Sequence, residues 1–307
     1  MNFLNSTSFV GALYVLGAIT AWGSYFPFAK LILERLSPEV FLVFRLGIGT
    51  VILLLLSRRL RKSFAVRRRD LLILVGAGCI GIIAHQMIQL TGLRYTTATN
   101  TGWILTLIPP VTGVLGWLFL RERVTARQVV GLGIAILGVV LFVSRGDPTQ
   151  LSFIQHYGDL LALLSVGTWS VYTVVTKSRL SRYDPLPVSA MHMGLGFLFF
   201  LLLAGRHIPA QVGGLEPLHW LVIVLIGVIP SGLAYYWWNA GLQRLSAVNT
   251  SMFLFIEAIV ASLAGALLLG EAFTPSMALY AAIIVAGVTI TQTARRQRAI
   301  STGEAAG

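Results

Sequence analysis

The segment WGSYFPFAKLILERLSPEVFLVFRLGIG, residues 22–49, returns as WSVYTVVTKSRLSRYDPLPVSAMHMGLG at residues 169–196, an offset of 147. Trp22, Tyr25, Lys30, Arg35, Pro38, Gly47 and Gly49 meet Trp169, Tyr172, Lys177, Arg182, Pro185, Gly194 and Gly196, identical at every one of those steps. The offset then lengthens to 149 and the matches continue through Gly78/Gly227, Gly92/Gly241, Asn100/Asn249, Thr101/Thr250, Gly116/Gly265, Glu122/Glu271, Thr125/Thr274 and Gly138/Gly287. Self-similarity at a fixed spacing marks an internal duplication. The chain therefore divides into a first half, residues 9–145, and a second, residues 156–294, joined by a polar link from Gly146 to His156.

Each half is apolar. Hydrophobic residues make up 56% of the chain and charged ones 11%, with a mean hydropathy of +0.81; a soluble domain carries about a quarter charged residues. A membrane-spanning helix needs about 17–25 apolar residues, and ten such stretches lie near 9–29, 40–57, 71–93, 97–120, 128–144, 159–176, 186–205, 218–242, 247–270 and 276–294. The expected fold is an all-α integral membrane protein of ten transmembrane helices in two five-helix repeats. Because five is odd, the repeats enter the bilayer from opposite sides and stand inverted to one another, an arrangement typical of secondary transporters.

The net charge of +12 would suit nucleic acid, but its distribution points to lipid. Of the 23 Lys and Arg, 17 fall on one side of a ten-helix threading, in the links after helices 2, 4, 6 and 8 and at the end of the chain. That asymmetry is the positive-inside rule: it places both termini in the cytoplasm of a cell whose inner membrane holds the chain, with anionic headgroups as the counter-charge. One cysteine, Cys79, excludes an internal disulfide and reads as a small apolar core residue. With no basic segment ahead of it, the first helix reads as a retained anchor rather than a signal peptide.

Well inside the spans two residues carry a formal charge, Arg45 and Glu257. A charge in hydrocarbon costs about 2.5–3.5 kcal/mol on insertion scales, so each is expected to face protein or water. The mate of Glu257 is the neutral Ile108, so symmetry breaks where a coupling group would need it broken: a carboxylate there can take up and release a proton, or stand as a static ion pair. Arg45, whose mate is His192, reads three ways: an interface anchor that snorkels, a partner of Glu257, or a clamp on a substrate anion.

Polar and aromatic residues gather at matching places. His85, Gln86 and Gln89 in the third span face, by repeat, Ala234, Tyr235 and Trp238, with Asn239 following. One half offers imidazole and amide where the other offers rings, a lining suited to a ligand with a polar head and an apolar body. Trp237 and Trp238 also fit an interfacial aromatic belt. Trp22 and Trp169 stand eight residues before Lys30 and Lys177, about 12 Å at the helical rise, deep for a belt; with Tyr25 and Tyr172 they are pocket candidates, core packing being the alternative. Asn100 and Asn249 open helices, where they cap free N–H groups or present the positive end of a helix dipole to an anion. Pro27, the Pro109–Pro110 pair and Pro230 interrupt spans and predict kinks. Gly131, Gly133 and Gly138 read as close-packing positions. The Gly76-x-Gly78-x-x-Gly81 run lacks the strand and helix start that a dinucleotide site requires and reads as helix packing.

The order of these fragments resembles the drug/metabolite transporter superfamily, in its ten-helix branch with paired EamA-type repeats, over residues 10–292. The likeness is carried by Gly92-Leu93-Arg94-Tyr95-Thr96, Ile108-Pro109-Pro110-Val111, Arg121-Glu122-Arg123-Val124-Thr125 and Gly131-Leu132-Gly133-Ile134, answered by Ala247-Val248-Asn249-Thr250-Ser251, Ile256-Glu257-Ala258 and Gly270-Glu271-Ala272-Phe273-Thr274. Arg45 matches the family's arginine in helix 2. Ala258 stands where the family often has proline, and Arg121 where it has glycine. The resemblance implies a central cavity enclosed by helices 3, 4, 8 and 9 with help from 1 and 6, while helices 5 and 10 form a scaffold.

The reading is a secondary active transporter, an exporter of small metabolites such as amino acids, working by alternating access and coupled to protons through Glu257. An uncoupled facilitative carrier or exchanger is the alternative. A membrane-embedded enzyme or a receptor fits less well: the five histidines (His85, His156, His192, His207, His219) are scattered, without metal-ligand spacing. No cofactor or metal is expected, the lipid bilayer and a small-molecule substrate are the expected partners, and a homodimer is left open.

Overall fold

The computed structural model describes residues 7–96, 98–122, 124–144, 157–269 and 274–301, and every regular element among them is helical. In the first half these are α1 (Thr7–Leu33), α2 (Pro38–Arg59), α3 (Arg68–Gly78), α4 (His85–Arg94), α5 (Ala98–Leu105), α6 (Ile108–Leu120) and α7 (Ala126–Val143). The second half holds α8 (Tyr157–Val175), α9 (Pro185–Ala204), the short α10 (Ile208–Val212), α11 (Pro217–Ile226), α12 (Ala234–Arg244), α13 (Ala247–Met252), α14 (Leu254–Leu269) and α15 (Pro275–Ser301). Seven helical stretches are long and apolar enough to cross a bilayer, and Ile108–Leu120, Ala126–Phe142 and Pro275–Thr291 are shorter apolar helices. Large apolar side chains turn outward, Leu72 82%, Leu202 88% and Leu267 85% exposed, which suits lipid and not water. The link from 146 to 156, Glu271 and the termini lie outside the described residues.

Two features depart from simple spans. The stretch expected as one helix over 97–120 is divided between α5 and α6, because Pro109 and Pro110, in the first turn of α6, have no N–H to continue the ladder. The stretch over 247–270 divides likewise at Phe253, between α13 and α14, with no proline to cause it. Between α3 and α4, and again between α11 and α12, the helix widens to π-helical turns, Cys79–Ala84 and Gly227–Leu233. Gly78 and Gly227, which precede or open these turns, are repeat mates, so the widening sits at the same place in both copies.

The copies touch through equivalent positions. Gly47 faces the Phe197 ring and Gly194 faces Thr50; Gly78 faces Leu195 and Gly227 faces Ile48. Each contact maps onto the other under the offset of the sequence repeat. Lys30 Nζ donates to the Thr96 carbonyl at 3.2 Å and its mate Lys177 to the Leu242 carbonyl at 2.8 Å. Lys62 pairs with Asp184 at 2.8 Å; their mates Gln211 and Ser37 meet through the Ser37 N–H to Gln211 Oε1 at 2.7 Å. One position pair is thus ionic in one place and neutral in the other. Glu122 accepts from the N–H groups of Ala247 and Val248 at 2.9 and 3.3 Å, fixing the start of α13 to the end of α6.

Two expectations need correction. Cys79 is exposed, not in the core, because it falls on the same outward helix face as Leu72 and Val75. Gly131 and Gly138 lie against α15, where a side chain at Gly131 would stand 2.5 Å from Thr291 and 2.6 Å from the Gly287 carbonyl oxygen; Gly133 has open space around it and serves no packing. Gly131→Val should therefore lower stability by about 1–3 kcal/mol through overpacking, while Gly133→Val, with the same helix propensity change, leaves it nearly unchanged. Thermal unfolding of both variants in one detergent checks this; equal losses would refute the close approach of α7 and α15.

Candidate functional site

Where the breaks and π turns converge, a cavity of about 30 Å³ is lined by Trp22, Tyr25, Arg45, His85, Gln86, Gln89, Trp169, Tyr235 and Glu257, with Phe26, Leu105, Ile108 and Leu254 completing the wall. That volume holds a water or two and no metabolite, so entry of a larger ligand requires the surrounding helices to part. The wall is drawn from α1, α2, α4, α5, α6, α8, α12 and α14; α7 and α15 contribute nothing to it and pack along one another.

Arg45 is 1% exposed, which removes the snorkelling reading. Its Nε donates to Ser231 Oγ at 2.8 Å, and Nη1 donates to the Tyr25 hydroxyl and to Gln86 Oε1, the latter at 3.3 Å. The guanidinium also lies 4.5 Å from the centre of the Tyr25 ring, a cation–π contact. Gly49, one turn further along α2, lets the helix backbone approach Ser231 at a distance a Cβ would obstruct; that approach brings the hydroxyl within reach. All three acceptors are neutral. With its Oε1 turned to Arg45, Gln86 has its Nε2 left to donate to the Tyr235 hydroxyl.

Glu257 is 5% exposed and sits in the first turn of α14, the end of a helix whose dipole favours a negative charge. Among the described residues it forms no ion pair, so the reading of Arg45 as its partner is not realised, although both line one cavity. Its mate Ile108 opens α6, just past the break of the first half.

The aromatic side of the cavity is a contiguous cluster. Trp22 and Trp169, repeat mates, meet edge to face at 5.2 Å, and Tyr235 and Trp238 lie 5.2 and 5.5 Å from Trp22. Trp238 is fully buried, so the belt reading does not hold for it. Trp22 Nε1 donates to the Pro230 carbonyl in the π turn at 2.9 Å; the Trp169 and Trp238 indoles find no acceptor among the described residues. His85 donates from Nδ1 to the Ser165 carbonyl at 3.1 Å, since a carbonyl only accepts, which leaves Nε2 as an acceptor in the neutral ring.

Other sequence candidates stand elsewhere. Tyr172 and Asn239 lie behind the wall, joined to each other at 3.2 Å, while His192 and Ser189 complete the knot. Asn249, at the start of α13, accepts from Gln128 at 2.9 Å and is away from the cavity. The Asn100 side chain lies outside the described residues. Sequence reading missed Ser231 and Phe26; a serine one residue past a span-interrupting proline was the available signal for the first.

The sequence profile of the EamA-like transporter family matches residues 9–144 and again 156–293. An "Uncharacterized transporter YyaM" of Bacillus subtilis is 25% identical over 81% of this chain and 82% of its own length. An "Uncharacterized transporter" of Archaeoglobus fulgidus is 27% identical over 89% and 95%. A protein of Streptantibioticus cattleyicolor named "Probable terminal-alkyne amino-acid exporter" is 27% identical over 92% and 94%. A solved structure, described as "Crystal structure of protein", superposes with a TM-score of 0.75 at 21% identity, covering 94% of this chain and 98% of its own.

The two tryptophan mates should answer differently to the same change. Trp22→Phe deletes a buried hydrogen bond and is expected to destabilise by about 1–3 kcal/mol, whereas Trp169→Phe removes an unpartnered buried donor and should leave stability equal or higher. Thermal unfolding distinguishes them; a larger loss for Trp169→Phe would show that its indole has a partner.

Proposed function

We propose, of a chain that belongs to the EamA-like transporter family, that it carries zwitterionic amino acids with apolar or aromatic side chains outward, in exchange for protons. One observation carries the reading: a buried cation, Arg45, and a buried carboxylate, Glu257, line one cavity without pairing to each other. Leaving each charge without a counter-charge is costly in a low-dielectric interior, and a ligand that brings both signs offsets both costs. An amino acid does so, its carboxylate toward Arg45 and its ammonium toward Glu257, with the side chain against Trp22, Trp169 and Tyr235. The relative named "Probable terminal-alkyne amino-acid exporter" agrees with this class.

Glu257 then has two alternate occupants, the substrate ammonium and a proton, and their competition is a route to antiport. In this reading ten transmembrane helices form two inverted halves that rock about the cavity, with both termini on the cytoplasmic side of the inner membrane. The reciprocal contacts of Gly47 with Phe197 and Gly194 with Thr50 support the internal symmetry that such a motion requires.

Purified protein screened with amino acids, nucleosides and sugars should gain stability from apolar amino acids, by about 2.7 kcal/mol at 100 times the dissociation constant. Stabilisation by sugars or nucleosides alone would refute the zwitterion reading. In proteoliposomes, Glu257→Gln should abolish uphill transport driven by a pH gradient while the protein stays folded. Uphill transport that survives the substitution would remove the coupling role, and wild-type transport indifferent to a protonophore would favour the uncoupled carrier.

A further inference from the structure

A second and much larger cavity, about 880 Å³, opens between α6, the start of α7 and α13. It lies back to back with the central one. Pro109 and Met252 belong to its wall, while Ile108, beside Pro109 at the start of α6, and Leu254, across the Phe253 break from Met252, line the central cavity. Its character changes along its length. Toward the middle of α6 the wall is apolar and open outward, with Val114, Trp117 and Leu118 57%, 61% and 53% exposed. At the end of α6 it is polar, formed by Arg121, Glu122 and Gln128.

The polar end holds one cation, Arg121, and one carboxylate, Glu122. The Glu122 carboxylate is engaged by the N–H groups of Ala247 and Val248, so the helix start offsets its charge, and Gln128 donates to Asn249. Arg121 remains exposed. It holds a left-handed backbone, φ 53°, a conformation that costs a non-glycine residue about 1–2 kcal/mol. Glycine would take that position without strain, so the arginine side chain is retained against a local cost.

We propose that this groove is a binding site for one anionic phospholipid, its acyl chain lying along Val114, Trp117 and Leu118 and its phosphate at Arg121. The occupant follows from the surroundings and the polarity gradient: the chain is a multi-pass membrane protein, the apolar half of the groove faces the hydrocarbon, and the cation stands at its polar end. With the orientation proposed above, that end lies at the cytoplasmic leaflet, where anionic lipids concentrate. A lipid seated there braces α6 against α13, the two segments whose breaks flank the central cavity, and so ties transport to lipid composition.

Protein purified in mild detergent and titrated with phosphatidylglycerol or phosphatidylcholine, followed by native mass spectrometry, tests the site. Phosphatidylglycerol should be held as a single retained adduct, more tightly than phosphatidylcholine; Arg121→Gln should erase that preference by about fivefold, and Arg121→Lys should keep it. Gly113, whose Cβ position is open, allows a groove-filling Gly113→Trp that should expel both lipids; unchanged thermal unfolding would certify the variant as folded. Equal retention of the two lipids, or a preference that survives Arg121→Gln, overturns the proposal. So does a dimer that Gly113→Trp dissociates, which would make a second copy the occupant.

Discussion

Inside a bilayer no water is present to satisfy a polar group, so each donor or acceptor placed there must be answered by the protein itself. Arg45 imposes that demand most strongly. Its guanidinium draws a hydroxyl from α1, a hydroxyl from the π turn before α12 and an amide from α4, binding segments of both halves around one charge. The consequences spread outward. Gly49 must lack a side chain for α2 to reach Ser231, and Gln86, once turned to accept from Arg45, can only offer its NH₂ to Tyr235. Part of the cavity wall is oriented by a cation that forms no ion pair among the described residues.

Duplication supplies a scaffold in which the same positions meet, and divergence then sets the chemistry. The glycine contacts of α2 and α9 are preserved in both copies, because backbone approach tolerates little change. The lining is not preserved. Arg45 answers to His192, Gln86 to Tyr235 and Glu257 to Ile108, so the cation and one amide come from the first half and the carboxylate and phenol from the second. His192 illustrates the difference: it donates to the Leu74 carbonyl at 3.1 Å and sits beside Tyr172, a knot of structure where its mate faces a cavity.

Much of this was legible in the residues. Hydropathy gave the helical membrane class, and the depth of Trp22 and Trp169 relative to Lys30 and Lys177 marked them as something other than a belt. The proline pair at 109–110 pointed to the interruption of the fourth span. Legibility ended where local sequence does not carry the cause. The break at Phe253 has no proline, and arises where α13 and α14 meet surroundings set by the other half. Cys79 falls on the outward face of a regular helical pattern, between the buried pairs Ala77–Gly78 and Gly81–Ile82, and Trp238 turns inward beyond the π turn that ends at Leu233; a residue's depth along the sequence does not say which face it takes. The burial of Arg45 likewise rests on Ser231 and Gln86, both far away in sequence.

The paired positions Lys62–Asp184 and Gln211–Ser37 differ in how they respond to their medium. The first is an ion pair whose side chains are 40% and 28% exposed, and mobile ions screen such a pair with a Debye length of about 8 Å at physiological strength and about 3 Å at 1 M. The second is a hydrogen bond between uncharged groups, to which added salt is nearly indifferent. Added salt thus weakens the Lys62–Asp184 contact and leaves the equivalent Ser37–Gln211 contact nearly as it was. An internal duplication whose copies began alike now holds one of two equivalent contacts by charge and the other without it.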